Sequence, residues 1–117
     1  MGIAYFPLES KLELQSSKFI FTIKNQNDRP EKLEFSSALE YDYKVIDQSG
    51  EVLKQRSKNM MFAQRLKTVT LKQAQELVYE EDYGKVVEGM VKGSYTIEFS
   101  STAKGKKIFS ALEIEVQ

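Results

Sequence analysis

Chemistry in this sequence would have to come from carboxylates and lysines, because its 117 residues include no histidine and no cysteine. Without histidine the usual general base, proton shuttle and commonest metal ligand are missing, and no Ser-His-Asp arrangement can be built. Without cysteine there is no thiol nucleophile, disulfide framework or cysteine-ligated zinc. The densest carboxylate group is "YEEDY", Tyr79 to Tyr83, with Glu88 beyond it. Clustered oxygens suit a hard cation or an acid/base pair, but this spacing is not that of an EF-hand loop and no second cluster converges on it. It reads as a solvated acidic loop. "KGKK", Lys104 to Lys107, with Phe109 nearby has the ingredients of a basic-aromatic patch, yet reads more simply as a charged hairpin turn. "GMVKG", Gly89 to Gly93, has neither the spacing nor the strand-to-helix setting of a phosphate loop. The expectation is a protein that is not an enzyme and needs no cofactor or metal.

Binding is the other kind of chemistry, and one stretch stands out for it. "SKNMMFAQ", Ser57 to Gln64, sets Met60, Met61 and Phe62 in a row between charged segments. If a strand begins at Phe62, then Phe62, Gln64 and Leu66 share a face with Met60, while Met61 points the other way. That places Phe62 and one methionine in the core and turns Met61 outward, where an adaptable thioether suits a binding surface.

The elements that would carry these residues alternate with period two. Phe19, Phe21 and Ile23 share one face of "KFIFTIKN", and Tyr41, Tyr43 and Val45 one face of "YDYKVID". Tyr95, Ile97 and Phe99 do so in "SYTIEFS", and Ile108, Leu112, Ile114 and Val116 in the last run. Leu12 with Leu14 and Leu33 with Phe35 complete the pattern, which is that of half-buried antiparallel strands. Turn chemistry separates the runs at "NQNDRPE", "DQSGE" and "AKGKK". The segment from Lys72 to Gly93 fits a strand near 75–80, then one helical turn around Tyr83 to Val87. Together these predict one domain over residues 1–117, an all-β, immunoglobulin-like antiparallel β-sandwich of about seven to nine strands. An up-and-down barrel is the alternative. With neither the disulfide nor the tryptophan of true immunoglobulin domains, cohesion falls to Phe, Tyr, Leu and Ile packed between sheets.

Lys plus Arg and Asp plus Glu stand at 17 each, so no net charge draws the chain to nucleic acid or an anionic bilayer. No apolar run approaches the roughly 18–20 residues of a membrane span. The opening "MGIAYFPLES" lacks a signal-peptide pattern, and Phe6 breaks the myristoylation pattern.

In order along the chain, "FTIKNQ", "LEFSS", "YDYKVIDQSGEV", "SKNMMFAQ", a strand ending near Tyr79 and "GSYTIEF" resemble the Bacillus-type intracellular proteinase inhibitor family, the BsuPI domain. The likeness covers roughly residues 12 to 102. It includes a Ser-x-x-x-Met-Phe-x-Gln segment and a Gly-x-Tyr opening of a late strand. Departures fall in loops: Tyr83 stands where Trp is frequent, and Ala74-Gln75 where a turn Gly is common. The resemblance implies a non-catalytic inhibitor of intracellular, subtilisin-type serine proteinases, acting in the cytoplasm. A cell-envelope location would follow if a longer natural N-terminus carried a leader. An immunoglobulin-like interaction or envelope accessory module, with another protein as partner, is the alternative. The family's pattern transfers no reactive-site position. The candidate partner-binding residues are therefore Asn59, Met60 and Met61, and secondly the 81–92 loop with Tyr83 and Val86.

Overall fold

A computed structural model describes residues 8–58 and 60–117, so Asn59 lies outside the described residues. Among the described residues nine strands and one short helix follow in order: β1 (Glu9–Gln15), β2 (Lys18–Lys24), β3 (Glu31–Ser37), β4 (Tyr41–Ile46), β5 (Val52–Gln55), β6 (Gln64–Leu71), β7 (Glu76–Asp82), α1 (Tyr83–Val86), β8 (Gly93–Ser101) and β9 (Phe109–Val116). All pairings are antiparallel and form three sheets, ordered β1-β2-β7, β3-β6 and β5-β4-β8-β9.

The first and third sheets face each other through aromatic side chains that alternation turned inward. Phe99 on β8 lies 6.1 Å from Phe19 and 5.8 Å from Phe21 on β2, centroid to centroid. Tyr41 on β4 meets Tyr79 on β7 at 4.6 Å. These tilted and offset rings add about 0.5–1.5 kcal/mol per pair to their burial. Ile23, Leu33, Phe35, Val45 and Ile97 complete a core that carries the fold without a cross-link. On one side β1 approaches β9, where Ser10 Oγ donates to the Phe109 carbonyl at 3.0 Å.

The β3-β6 ribbon is fastened by polar groups as well as by Leu33 and Phe35. Glu40, just before β4, takes hydrogen bonds from Lys67 Nζ on β6 at 2.9 Å and Tyr79 Oη on β7 at 2.8 Å. Burial pushes the Glu40 carboxyl up, but these two donors outweigh it and leave it below the usual range.

Turns behave as their residues require. Asp47 Oδ1 accepts from the backbone N–H groups of Ser49 and Glu51, both at 2.9 Å, and Gly50 takes φ +89° in the β4-β5 hairpin. At the turn before β7, Ala74 is held at φ +68°, where a Cβ is strained. This is the position where the resemblance expects glycine. Replacing Ala74 with Gly is expected to raise unfolding free energy by about 0.5–1 kcal/mol, the relieved left-handed strain exceeding the extra unfolded-state entropy. Urea titration at unchanged slope reads the shift; a lower midpoint would contradict it.

Two expectations are corrected. The acidic "YEEDY" stretch is not a solvated loop, because β7 runs on to Asp82 and turns Glu81 inward, 7% exposed. Phe62 does not begin a strand, since β6 starts two residues later at Gln64. It is half-buried and stands outside the core, and neither Met60 nor Met61 is core.

Candidate functional site

The segment from Arg56 to Ala63 joins β5 to β6. It leaves the hairpin partner of β4 and runs on beside the first half of that strand, because Arg56 N–H still donates to the Tyr43 carbonyl at 3.0 Å. Beyond that the strand ladder ends, and side chains take over.

Asp42 on β4 is buried and supplies the first anchor. Its Oδ2 accepts from Ser57 Oγ at 2.7 Å and Gln55 Nε2 at 2.8 Å, and its Oδ1 from Ser57 N–H at 3.0 Å. A buried carboxylate is tolerated only when so satisfied, and each charge-assisted bond is about twice as strong as a neutral one. Arg56 supplies the second anchor. Its guanidinium lies 4.2 Å from the Tyr41 ring centroid and 5.5 Å from that of Phe62. Its Nη1 donates to the Tyr41 carbonyl at 3.0 Å, and its Nε pairs with Glu81 Oε1 at 3.4 Å. Glu81 also accepts from Tyr41 Oη at 2.6 Å and pairs with Lys85 at 3.3 Å. Burial first, and then the bond to Glu81, push the Tyr41 hydroxyl well above the ordinary phenol range, so it stays a donor at neutral pH. At the far end Ala38 N–H donates to the Ala63 carbonyl at 2.9 Å.

Between these fixings the two methionines are exposed. Met61 is 99% exposed and Met60 53% exposed, with Leu66 on β6 also outside. Met60 and Met61 thus form an exposed apolar pair on the loop.

The second candidate segment lies beside the first. Lys54 Nζ on β5 donates to the carbonyls of Lys85 at 2.6 Å and Val86 at 3.1 Å, tying α1 to the edge strand. A depression of about 540 Å³ separates the two segments, with Leu53, Lys58, Met60, Lys85 and Glu88 on its walls. Met60 and α1 therefore belong to one continuous surface. Within that surface the sequence-derived candidates divide. Tyr83 is half-buried, stacked on Phe19 at 5.8 Å, with its N–H donating to the Ser17 carbonyl at 2.9 Å. Val86 is 0% exposed and packs in the core, so its side chain cannot meet a partner; the helical turn aims it inward. Asn59 lies outside the described residues.

Most of the positioning is done by Asp42 and Arg56, which the sequence reading passed over, and by Glu81, which it read as part of a solvated acidic loop. Alternation placed Asp42 on a solvent face, and nothing local marks a charged residue for burial. The available signal was the run "QRS", two residues ahead of the apolar tip, a donor-rich stretch opposite a strand containing Asp.

A second depression, about 530 Å³, is lined by Asp47, Ser94, Thr96, Glu113 and Glu115. Among the described residues no three Asp or Glu side chains are grouped so as to hold a metal ion. No helix among them is long and apolar enough to cross a membrane.

Fold and site define an all-β protein whose exposed apolar loop is braced on a rigid scaffold. The chain belongs to the BsuPI family, described as intracellular proteinase inhibitor, whose family model matches residues 7–106. No curated protein gives a significant match. Among solved structures, a β-glucosidase from Erythrobacter marinus is similar at 12% identity and a TM-score of 0.41, over 97% of this chain. The chain spans 15% of that structure's length, and a likeness so low carries no argument.

Proposed function

We propose that this protein inhibits intracellular serine proteinases of the subtilisin type, presenting the Arg56–Ala63 loop to the enzyme's cleft with Met61 as the anchoring side chain. Membership of a proteinase-inhibitor family supports the activity. The observation that carries the choice of loop is Met61 itself. Within the Ser-x-x-x-Met-Phe-x-Gln segment, Ser57 holds Asp42 and Phe62 covers Arg56, so both have work inside the fold. Met61, 99% exposed, has none. A large unbranched apolar side chain at the tip of a braced loop fits an apolar specificity pocket, and inhibition of this kind needs about 800 Å² of contact per partner and no catalytic group. An immunoglobulin-like sandwich, which the order β5-β4-β8-β9 opposite β1-β2-β7 supports, suits such presentation from a rigid frame.

Titration of a subtilisin-like proteinase with the protein tests this. Peptidase activity is expected to fall stoichiometrically at micromolar protein or below. Full activity throughout, with the added chain steadily digested, would exclude the inhibitory role.

A second reading is favoured by β5, a four-residue strand that among the described residues pairs only with β4, with Val52 and Leu53 exposed. Such an edge can accept an added strand from another protein. Recovery of non-proteinase partners alone from lysate, lost when Leu53 is replaced by Lys, would select it.

A further inference from the structure

We propose that Arg56 is a positioning residue, a clamp that keeps the Met60-Met61 tip in its binding shape and keeps the loop from becoming a substrate. This role rests on the inhibitory reading above. A loop offered to a proteinase has two fates: held rigid it blocks the enzyme, and loosened it is cut. Here no disulfide holds it. Among the described residues of the loop interior, the main chain contributes two bonds, from Lys58 N–H to the Gln55 carbonyl at 3.1 Å and from Met60 N–H to the Ser57 carbonyl at 3.3 Å, and both are local. Asp42 fixes Ser57 and Ala38 fixes Ala63, so both ends are tied. Among the described residues, the contact of Arg56 with Phe62, six residues apart, spans the interior and closes the chain around the tip.

That bridge is seated on buried structure. The guanidinium lies 4.2 Å from the Tyr41 ring centroid and 5.5 Å from that of Phe62, and Nη1 and Nε are committed to the Tyr41 carbonyl and to Glu81. Glu81 on β7 and Tyr41 on β4 belong to opposite sheets, so the clamp takes its orientation from the core. A planar fork that stacks and bonds at once is specific to arginine; a lysine would keep the charge and lose both the stacking and the second bond. Ordering a loop in advance removes that entropy from the binding step, so the expected signature is a change in affinity and in loop cleavage.

The test compares wild type with Arg56→Lys and with the double variant Arg56→Ala/Glu81→Gln, whose second change removes the buried carboxylate together with one of its two cations. Two readouts are taken: amide hydrogen exchange of the free proteins, and inhibition of a subtilisin-like proteinase with mass mapping of any cut. Expected for both variants is faster exchange confined to residues 57–63, with β2 and β8 as protected as in wild type. Inhibition weakens on the order of 100-fold and becomes temporary, with cleavage between residues 60 and 63. Unchanged exchange in 57–63 overturns the clamp, and so does loss of protection in β2 and β8 to the same degree. Loosened exchange with undiminished, lasting inhibition overturns it too. Should wild type inhibit nothing, the inhibitory reading fails, while the exchange comparison still decides whether Arg56 orders the loop.

Discussion

Replacing Met61 with Asp is expected to weaken proteinase inhibition by at least about 100-fold while leaving the melting temperature where it was. The side chain is 99% exposed and touches nothing that holds the fold together, so folding free energy should move by less than about 0.5 kcal/mol. In the complex the situation reverses. Burying a methionine in an apolar pocket is worth roughly 1.5–3 kcal/mol, or about a factor of 10 to 150. A carboxylate there loses that term and adds its own desolvation. Met61→Leu, close in volume and apolar, is expected to stay within about tenfold of wild type. Met60, 53% exposed and on the wall of the depression beside α1, should give a smaller loss on truncation. Inhibition titrations paired with thermal melts check all three. Undiminished inhibition by the Asp variant would remove Met61 from the contact and shift attention to β5.

The largest effect on stability is expected at a residue with no place in the contact surface. Asn25→Ala should lower unfolding free energy by about 3–5 kcal/mol, a large share of the 5–15 kcal/mol typical of a domain. Asn25 is 0% exposed at the end of β2 and joins three separate segments. Its Nδ2 donates to the carbonyls of Arg29 and Leu71, both at 2.8 Å, and its Oδ1 accepts from Asn27 N–H at 2.8 Å. Its own backbone exchanges bonds with Gln75 at 3.1 Å and Ala74 at 2.9 Å. Truncation removes the bond to the buried Leu71 carbonyl and to the Asn27 N–H, as well as the part-buried one to Arg29, and a buried group that loses its partner costs about 1–3 kcal/mol. Asn25→Asp keeps the size and the acceptor but sets a carboxylate against two carbonyl oxygens, so it should be at least as damaging. Urea unfolding of both variants decides; losses below about 1 kcal/mol in each would show that water replaces the side chain readily.

Much of the scaffold was legible beforehand because the strand signal is local. Successive side chains in an extended chain point to opposite faces, so Phe19, Phe21 and Ile23, or Tyr95, Ile97 and Phe99, declare their common side from spacing alone. Met61 is exposed as expected, but not through this rule, which also misled at Phe62: it holds only inside a strand, and the chain there is a loop. There the ring settles against Arg56, whose aliphatic and guanidinium surface offers a half-buried resting place outside the core.

By itself the sequence determined an all-β chain with its turns, its inward aromatic faces and its lack of histidine and cysteine chemistry. Tertiary structure alone decided which charges go inside. Asp42 meets Ser57 fifteen residues away, Tyr41 meets Glu81 forty away, and Asn25 meets Leu71 forty-six away. Burying a charged or amide group is unfavourable until such partners arrive, and they arrive only when the sheets pack. Hydrophobic alternation records which face a residue prefers, and it holds no record of a hydrogen bond supplied from across the fold.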